Sequence, residues 1–188
     1  MDSRGRSATS KGAGTGRIAD ALATMGHPVT AVDESPEMLA RIKRAETVRA
    51  TIEGLALGSL FDVVLLASHL INAPSEAIRA TFLQTCARHV RDTGCVVIQQ
   101  HPPGWFATAT AREAESNEIT FKLTDISRPG PSLLSATMEY RAGDRVWTHS
   151  FTAMQLDEED MRSALAAAGL VFDDYLTDDR QWLRAIPR

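Results

Sequence analysis

Glycines at alternate positions near the start of the chain are the residues with the clearest chemical use. Gly12, Gly14 and Gly16 stand in the segment GAGTGR, and Asp33 follows seventeen residues after Gly16. A glycine-rich turn between a strand and a helix lets a ligand approach the backbone, and the helix N-terminus adds donor N–H groups. A carboxylate at the end of the next strand can accept hydrogen bonds from both ribose hydroxyl groups. The spacing therefore predicts a nucleoside-binding unit.

Two histidines follow apolar segments that read as strands. His69 comes after FDVVLLAS, and His101 comes after CVVIQQ, in the segment QQHPPGW. Ligands of α/β sheets gather at the carboxyl ends of the strands, so both rings are candidates for the site. His101 is interpreted either as a general base or as part of a rigid proline turn, and His69 as a residue of the pocket wall. The acids at 157–160 are explained by a helix dipole, and we predict no metal site.

Strand and helix patterns alternate through the first half of the chain. Ile18, Leu22 and Met25 give the first helix one apolar stripe, and Ser35 followed by Pro36 caps the next. The pattern predicts helices over 16–25, 36–45 and 75–90, and strands over 28–33, 47–53, 61–68 and 95–100. This alternation is typical of a doubly wound α/β fold with a mostly parallel sheet.

After Gln100 the helices disappear for about fifty residues. EITFKLTDIS, LLSATMEYR and RVWTHSFTAMQL read as strands, with a hairpin turn at 142–144. We expect them to form an antiparallel flap within 102–156. A helix capped by Asp157 and ended by Gly169 follows, and VFDDYLTDD with QWLRAIPR predicts an antiparallel C-terminal hairpin.

Composition excludes several classes of protein. The 188 residues are 44% hydrophobic and 23% charged, with a formal net charge of -4. This balance predicts one globular domain and disfavours nucleic acid as the partner. No signal peptide or membrane span is predicted, and the two cysteines lack disulfide or metal-site spacing. We expect a cytoplasmic protein; the oligomeric state is left open.

The glycine spacing separates two classes of nucleotide-binding protein. The dinucleotide motif G-x-G-x-x-G would place glycine at position 17, where this chain has arginine. GAGTGR instead resembles the first motif of class I S-adenosylmethionine-dependent methyltransferases. VTAVDESPEML resembles their second motif, and FDVVLLASHLIN resembles their fourth-strand motif. The resemblance runs from about Gly12 to the C-terminus and implies a Rossmann-like, seven-stranded sheet.

The resemblance also implies a cofactor, S-adenosyl-L-methionine, and a small-molecule acceptor reached through the flap as a lid. It implies cofactor-binding roles for the glycine loop, the second-strand end, the third-strand edge and the fourth-strand end: Gly12, Ala13, Gly14, Gly16, Asp33, Glu34, Ser35, Met38, Ile52, Glu53, Ala67, Ser68 and His69. His101 is the candidate catalytic base.

The segment before the glycine loop departs from the family. An apolar strand ending in an acid and a glycine is expected there, but this chain has SATSK, and no helices precede it. Residues 1–11 are therefore expected to be disordered or a degenerate first strand, with the domain over 12–188. Three explanations stay open: a truncated product, a degenerate paralogue, or a poor strand held by tertiary context.

Methyl transfer to a small molecule by in-line displacement is the function that this sequence predicts. A noncatalytic or truncated relative with weakened cofactor binding is the alternative. A nicotinamide-dependent oxidoreductase is disfavoured by Arg17 and by the lack of a Tyr-x-x-x-Lys pair.

Overall fold

Two β-sheets organise the chain, whose computed structural model describes residues 6–116 and 119–188. The larger has seven strands in the order β10-β11-β5-β4-β1-β2-β3. Its strands are β1 Ala8–Lys11, β2 Val29–Asp33, β3 Glu46–Arg49, β4 Phe61–Leu66, β5 Val90–Gln99, β10 Leu170–Tyr175 and β11 Trp182–Pro187. Among them β11 runs antiparallel to both of its neighbours, and β1 to β5 pair in parallel. The predicted doubly wound sheet with an antiparallel C-terminal hairpin is confirmed.

Helices cover both faces of this sheet. They are α1 Arg17–Thr24, α2 Pro36–Leu39, α3 Glu76–His89, α4 Trp105–Thr108 and α5 Glu158–Ala167, with a 3-10 turn at Leu70–Asn72. Adjacent residues of β4 point to opposite faces: Val63 packs with the small cluster around Ala19 of α1, and Val64 packs with α3 and α5. The strand is therefore buried on both sides, which explains its nearly continuous apolar sequence.

The segment SATSK contains a strand, which agrees with the option of a poor first strand held by tertiary context. Residues 8–11 form β1 at the centre of the sheet, between β2 and β4, and all four are buried. Two neighbouring strands supply backbone hydrogen bonds on both sides, so tertiary pairing overrides the weak strand propensity of Ser and Lys. The expected disorder is thus wrong for 8–11. Residues 1–5 of the same predicted segment lie outside the described part of the chain.

Burying polar residues in β1 has a visible cost at Lys11. This side chain is fully buried, and among the described residues its Nζ finds no hydrogen-bond partner. Burial lowers the pKa of the Lys11 ammonium from 10.5 to about 8. Lys11 pairs in register with Leu66 and occupies a core position, where an apolar side chain would avoid the cost of removing a charged group from water.

The second predicted helix is shorter than expected. The sequence predicts it over 36–45, but α2 ends at Leu39. Asp20 of α1 accepts hydrogen bonds from the backbone N–H groups of Lys43 (3.0 Å), Arg44 (2.8 Å) and Ala45 (3.3 Å). Those N–H groups are committed to a carboxylate instead of a helical ladder, so the chain turns towards β3. The predicted third strand also shortens, to 46–49.

The predicted antiparallel flap is present and has four strands. They are β6 Arg112–Ser116, β7 Ile119–Gly130, β8 Leu133–Ala142 and β9 Arg145–Met154, in sequential order. The sequence predicts only the last three, because β6 has the charged sequence REAES. Leu123, Leu134 and Ala136 pack against Phe106 and Ala109, and so seat one face of the flap on the segment after β5. Glu118, the first residue of the predicted strand EITFKLTDIS, lies outside the described residues.

Candidate functional site

The glycine loop joins β1 to α1 at the carboxyl end of the sheet. Gly12 has φ +65°, and a Cβ added to it would lie 2.6 Å from Cδ1 of Leu70. Gly14 has φ +54°, and a Cβ there would meet nothing within 4 Å. The loop thus needs glycine at position 12 for conformation and for packing, and it keeps open space above position 14 where a ligand can approach the backbone.

Asp33, at the end of β2, holds the loop. Its Oδ2 accepts a hydrogen bond from the Gly14 N–H at 2.8 Å, and its Oδ1 accepts one from the Ser35 N–H at 3.0 Å. A carboxylate has about four lone-pair positions, so each oxygen can still accept a hydroxyl proton. Asp33 is half-buried and lies beside the open space. These two hydrogen bonds therefore fix the orientation of the Asp33 carboxylate, which is predicted to bind ribose.

A cleft of about 290 Å³ opens between the glycine loop and the ends of β2 to β4. Seven of the predicted cofactor residues line it: Gly12, Gly14, Asp33, Glu34, Ile52, Glu53 and Ser68. Sequence reasoning missed four further lining residues: Ala50, Thr51, Leu70 and Phe82. Leu70 lies two residues and Phe82 fourteen residues after the predicted strand 61–68, and the folded chain brings both to the cleft. Three carboxylates line the cleft, and its described lining contains no Lys or Arg.

The remaining predicted cofactor residues lie around the cleft rather than in its lining. Gly16 is the N-cap of α1, and Ser35 caps α2 by accepting the Met38 N–H at 3.3 Å. Met38 is half-buried, Ala67 is buried at the end of β4, and Ala13 donates its N–H to the Val32 carbonyl at 3.0 Å.

His69, His101 and Trp105 form a stack of three rings, here called the histidine stack. The His69 and His101 centroids lie 4.0 Å apart with planes at 6°, and the His101 and Trp105 centroids lie 3.8 Å apart with planes at 7°. Phe106 meets His101 edge-on at 5.7 Å. Both faces of the His101 ring are therefore covered, and its chemistry is restricted to the nitrogen-bearing edge.

Burial keeps both histidines neutral at pH 7. Desolvation lowers the pKa of His69 from 6.5 to about 4. It lowers the pKa of His101 to about 3, helped by the neighbouring His69 and by Arg112. A neutral ring can accept a hydrogen bond through one nitrogen, but with a pKa this low it holds a full proton poorly.

Two amide side chains hold the first residue of the stack: buried Gln99 bonds the backbone before His69, and half-buried Gln181 bonds the His69 ring. Ser68 and His69 have φ values of +58° and +56°, which are unusual for residues with side chains. Gln99 holds this turn by accepting the Ser68 N–H through Oε1 at 3.0 Å. Gln181 places its Nε2 3.3 Å from Nε2 of His69, so that the ring nitrogen accepts. Polar residues at the end of the apolar run CVVIQQ are the sequence signal that could have marked Gln99.

Comparison with known proteins gives a domain match over part of the chain and a fold match over most of it. A family model for a methyltransferase domain matches residues 10–94, from β1 to the start of the buried part of β5. A solved S-adenosylmethionine-dependent methyltransferase from Clostridium acetobutylicum ATCC 824 superposes with a TM-score of 0.77, at 14% identity over 95% of this chain and 82% of that chain. Residues 10–94 thus match a methyltransferase domain, and the chain has the fold of a solved S-adenosylmethionine-dependent methyltransferase.

Other solved methyltransferases share the fold. KedS8, a sugar N-methyltransferase from Streptoalloteichus sp ATCC 53650, has a TM-score of 0.77 and 24% identity, over 100% of this chain and 82% of that chain. The CcbJ methyltransferase from Streptomyces caelestis also has a TM-score of 0.77, with 19% identity over 98% of this chain and 89% of that chain. No curated protein matches the sequence.

In the folded chain the cleft and the histidine stack are neighbours. Ser68 lines the cleft and donates its hydroxyl to the Gly12 carbonyl at 3.3 Å, and His69 is the next residue. The stack therefore begins at the edge of the cleft and continues through His101 and Trp105 towards the flap. No helix in the described ranges 6–116 and 119–188 is long and apolar enough to cross a membrane.

Proposed function

We propose that this methyltransferase domain binds S-adenosyl-L-methionine and transfers its methyl group to a small-molecule acceptor. The observation that best supports this proposal is the position of the cleft: Ser68 at its edge is followed directly by His69, the first ring of the histidine stack. When bound, S-adenosylmethionine supplies a methyl group activated by its sulfonium, and the protein supplies position.

The residues of the cleft fit this cofactor. The open space above Gly14 accommodates a ligand against the backbone, and the Asp33 carboxylate would accept the ribose hydroxyl protons. Asp33, Glu34 and Glu53 make the cleft acidic, which favours a ligand that carries a sulfonium and an ammonium. The same charges disfavour the pyrophosphate of a nicotinamide dinucleotide, so the oxidoreductase alternative is weaker on electrostatic grounds as well as on spacing. Ala13, Gly16, Ser35, Met38 and Ala67 support the binding residues by holding the loop, α2 and the end of β4.

His101 is proposed to orient the acceptor. The exposed edge of its neutral ring would accept a hydrogen bond from an N–H or O–H group and point the acceptor lone pair towards the cleft. Because burial holds the His101 pKa at about 3, the departing acceptor proton passes to solvent more readily than it stays on the ring. An amine acceptor fits this arrangement, since a free amine needs no strong base. KedS8 is named a sugar N-methyltransferase, so amino sugars are the first acceptors to test.

The flap is proposed as the acceptor lid, within the subregion 102–156 of a domain that covers 12–188 together with β1. Phe106 and Ala109 anchor its apolar face close to Trp105, the outer ring of the stack. The cytoplasm is proposed as the compartment, because Cys86 and Cys95 are both free thiols.

Titration calorimetry of the 188-residue chain with S-adenosylmethionine and, separately, with NAD tests the proposal. We expect binding of S-adenosylmethionine alone, and loss of that binding in Asp33→Ala. Asp174→Asn serves as the matched control, because Asp174 is exposed on β10 and, among the described residues, its carboxylate hydrogen-bonds the N–H of Tyr175. A panel of amino sugars with tritiated cofactor then reads methyl transfer. A folded protein that binds no S-adenosylmethionine would favour the noncatalytic alternative.

A further inference from the structure

Asn72 joins three separate segments at the mouth of the proposed active site. It ends the 3-10 turn after β4 and is 3% exposed. Its Nδ2 donates to the Met154 carbonyl at 2.9 Å, and its Oδ1 accepts the His101 N–H at 2.8 Å. Both polar atoms of a buried amide are thus used by backbone groups that lie 82 and 29 residues away in the chain.

Those two backbone groups mark the points where the chain leaves the main sheet for the flap and returns from it. His101 follows β5 and begins the connection to the flap, and Met154 is the last residue of β9. Arg79 reinforces the return point, because its Nη1 lies 3.4 Å from Sδ of Met154 and donates to the Ala73 carbonyl at 2.7 Å. One side chain therefore fixes both ends of the flap against the loop that borders the cleft.

The same bond orients His101. The ring is sandwiched between His69 and Trp105, which restricts tilting, so the place of its nitrogen edge depends on the backbone at His101. Asn72 holds that backbone, and the turn that contains Asn72 also carries Leu70, which packs on Gly12. One short turn therefore contacts both His101, the ring proposed to face the acceptor, and the glycine loop.

We infer that Asn72 is a positioning residue, which holds His101 and the two ends of the flap in register with the cofactor cleft. The inference rests on the proposed methyl transfer for its functional consequence. Misplacing a catalytic group by about 1 Å can lower a rate by about a hundredfold. Asn72 does not line the cleft, so its loss should affect the acceptor rather than the cofactor.

Asn72→Leu removes both hydrogen bonds and tests the inference. Gln100→Leu is the matched control: Gln100 is also a buried amide, 5% exposed, but its Nε2 donates to the Arg180 carbonyl at 2.8 Å and not to the flap. We expect Asn72→Leu to lower kcat/KM for the acceptor by about tenfold or more, with the cofactor Kd within about threefold. Gln100→Leu should lose a similar amount of stability and keep acceptor kinetics within about threefold of the wild type.

A second readout does not depend on activity. The pKa of His101, followed by NMR of its ring protons, should rise towards 6.5 in Asn72→Leu as the stack loosens, and should stay low in Gln100→Leu. If Asn72→Leu does not fold, Asn72→Ala takes its place, because it also removes both hydrogen bonds and places no charge beside His101.

The outcomes separate the two ideas. If the wild type neither binds S-adenosylmethionine nor transfers methyl, the proposed function fails, and the NMR comparison alone judges the placement of His101 by Asn72. Equal effects of the Asn72 and Gln100 variants on acceptor kinetics and on the His101 pKa would reduce Asn72 to a structural residue and overturn the inference. A selective loss in Asn72→Leu supports it.

Discussion

Replacing the buried lysine of β1 should stabilise this protein. Lys11 is fully buried, and its Nζ finds no hydrogen-bond partner among the described residues. The fall of its pKa from 10.5 to about 8, converted at about 1.36 kcal/mol for each pKa unit, corresponds to about 3 kcal/mol at neutral pH. Lys11→Met keeps the chain length of the side chain and removes the charge. We therefore expect its free energy of unfolding at pH 7 to exceed that of the wild type by about 3 kcal/mol.

The pH dependence identifies the cause. A base whose pKa is lower in the folded state is destabilising below that folded pKa, because the unfolded chain binds the proton more tightly. The penalty is complete below about pH 8 and fades as the pH rises towards 10.5. The difference between variant and wild type should therefore shrink to under about 1 kcal/mol by about pH 10. Burial raises the pKa of Cys86 to about 12, so this thiol stays neutral in the folded state over that range.

Urea unfolding of both proteins from pH 7 to 10, followed by circular dichroism, measures this difference. Lys43→Met makes the same chemical change at an exposed residue and should change stability by less than about 0.5 kcal/mol. At pH 7 the melting temperature of Lys11→Met should rise by about 6 to 12 °C. The reasoning would be refuted if Lys11→Met were less stable than the wild type, or if its advantage were the same at pH 7 and pH 10.

Three further predictions concern the site and its supports. Gly12→Ala should weaken cofactor binding, because alanine is strained at φ +65° and its Cβ would displace the Leu70 side chain, whose Cδ1 would lie 2.6 Å away. Gly58→Ala, with φ +66° and open space around the Cβ, should bind cofactor like the wild type; calorimetry compares them, and equal affinities would contradict the geometry. The free energy of unfolding should fall as the pH drops from 6.5 to about 4, because the unfolded chain protonates histidines that the stack keeps neutral. In urea titrations His69→Gln should make this pH dependence weaker, and an unchanged pH dependence would count against the stack as its source. Asp62→Asn should lower the urea midpoint at pH 7, because it weakens the hydrogen bonds from the N–H and hydroxyl of Ser7, which lower the Asp62 pKa. The difference in midpoint between variant and wild type should shrink in acid as the wild-type carboxylate protonates, and a difference that is constant with pH would argue against this role.

Patterns within single elements were predictable from the sequence. The apolar run FDVVLLAS gave a strand buried on both faces, and Asp157 caps α5 by accepting the Asp160 N–H at 2.8 Å, as its position predicts. The glycine spacing and the acid after β2 also predicted the residues that the structure brings together at the cleft. Each of these signals lies within one element or within one strand–helix–strand unit.

Features set by distant partners were not predictable in this way. β1 is a strand because β2 and β4 flank it, although its own sequence disfavours one. Helix α2 stops early because Asp20, more than twenty residues before, takes its N–H groups. The contacts of Asn72 with His101 and Met154 likewise appear only once the sheet has formed.

The close spacing of the two flap ends bears on how this domain can diversify. The chain departs at His101 and returns at Met154, and one amide touches both places, so the segment between them is a closed excursion from the sheet. Its strands pair in sequential order with their nearest neighbours, and its connections are therefore local. We expect that the segment between His101 and Met154 can be replaced by the corresponding segment of another protein with this fold if Asn72 and the two junction residues are kept. Grafts cut at these two points should alter acceptor choice and leave the parallel sheet and its glycine loop to fold unchanged.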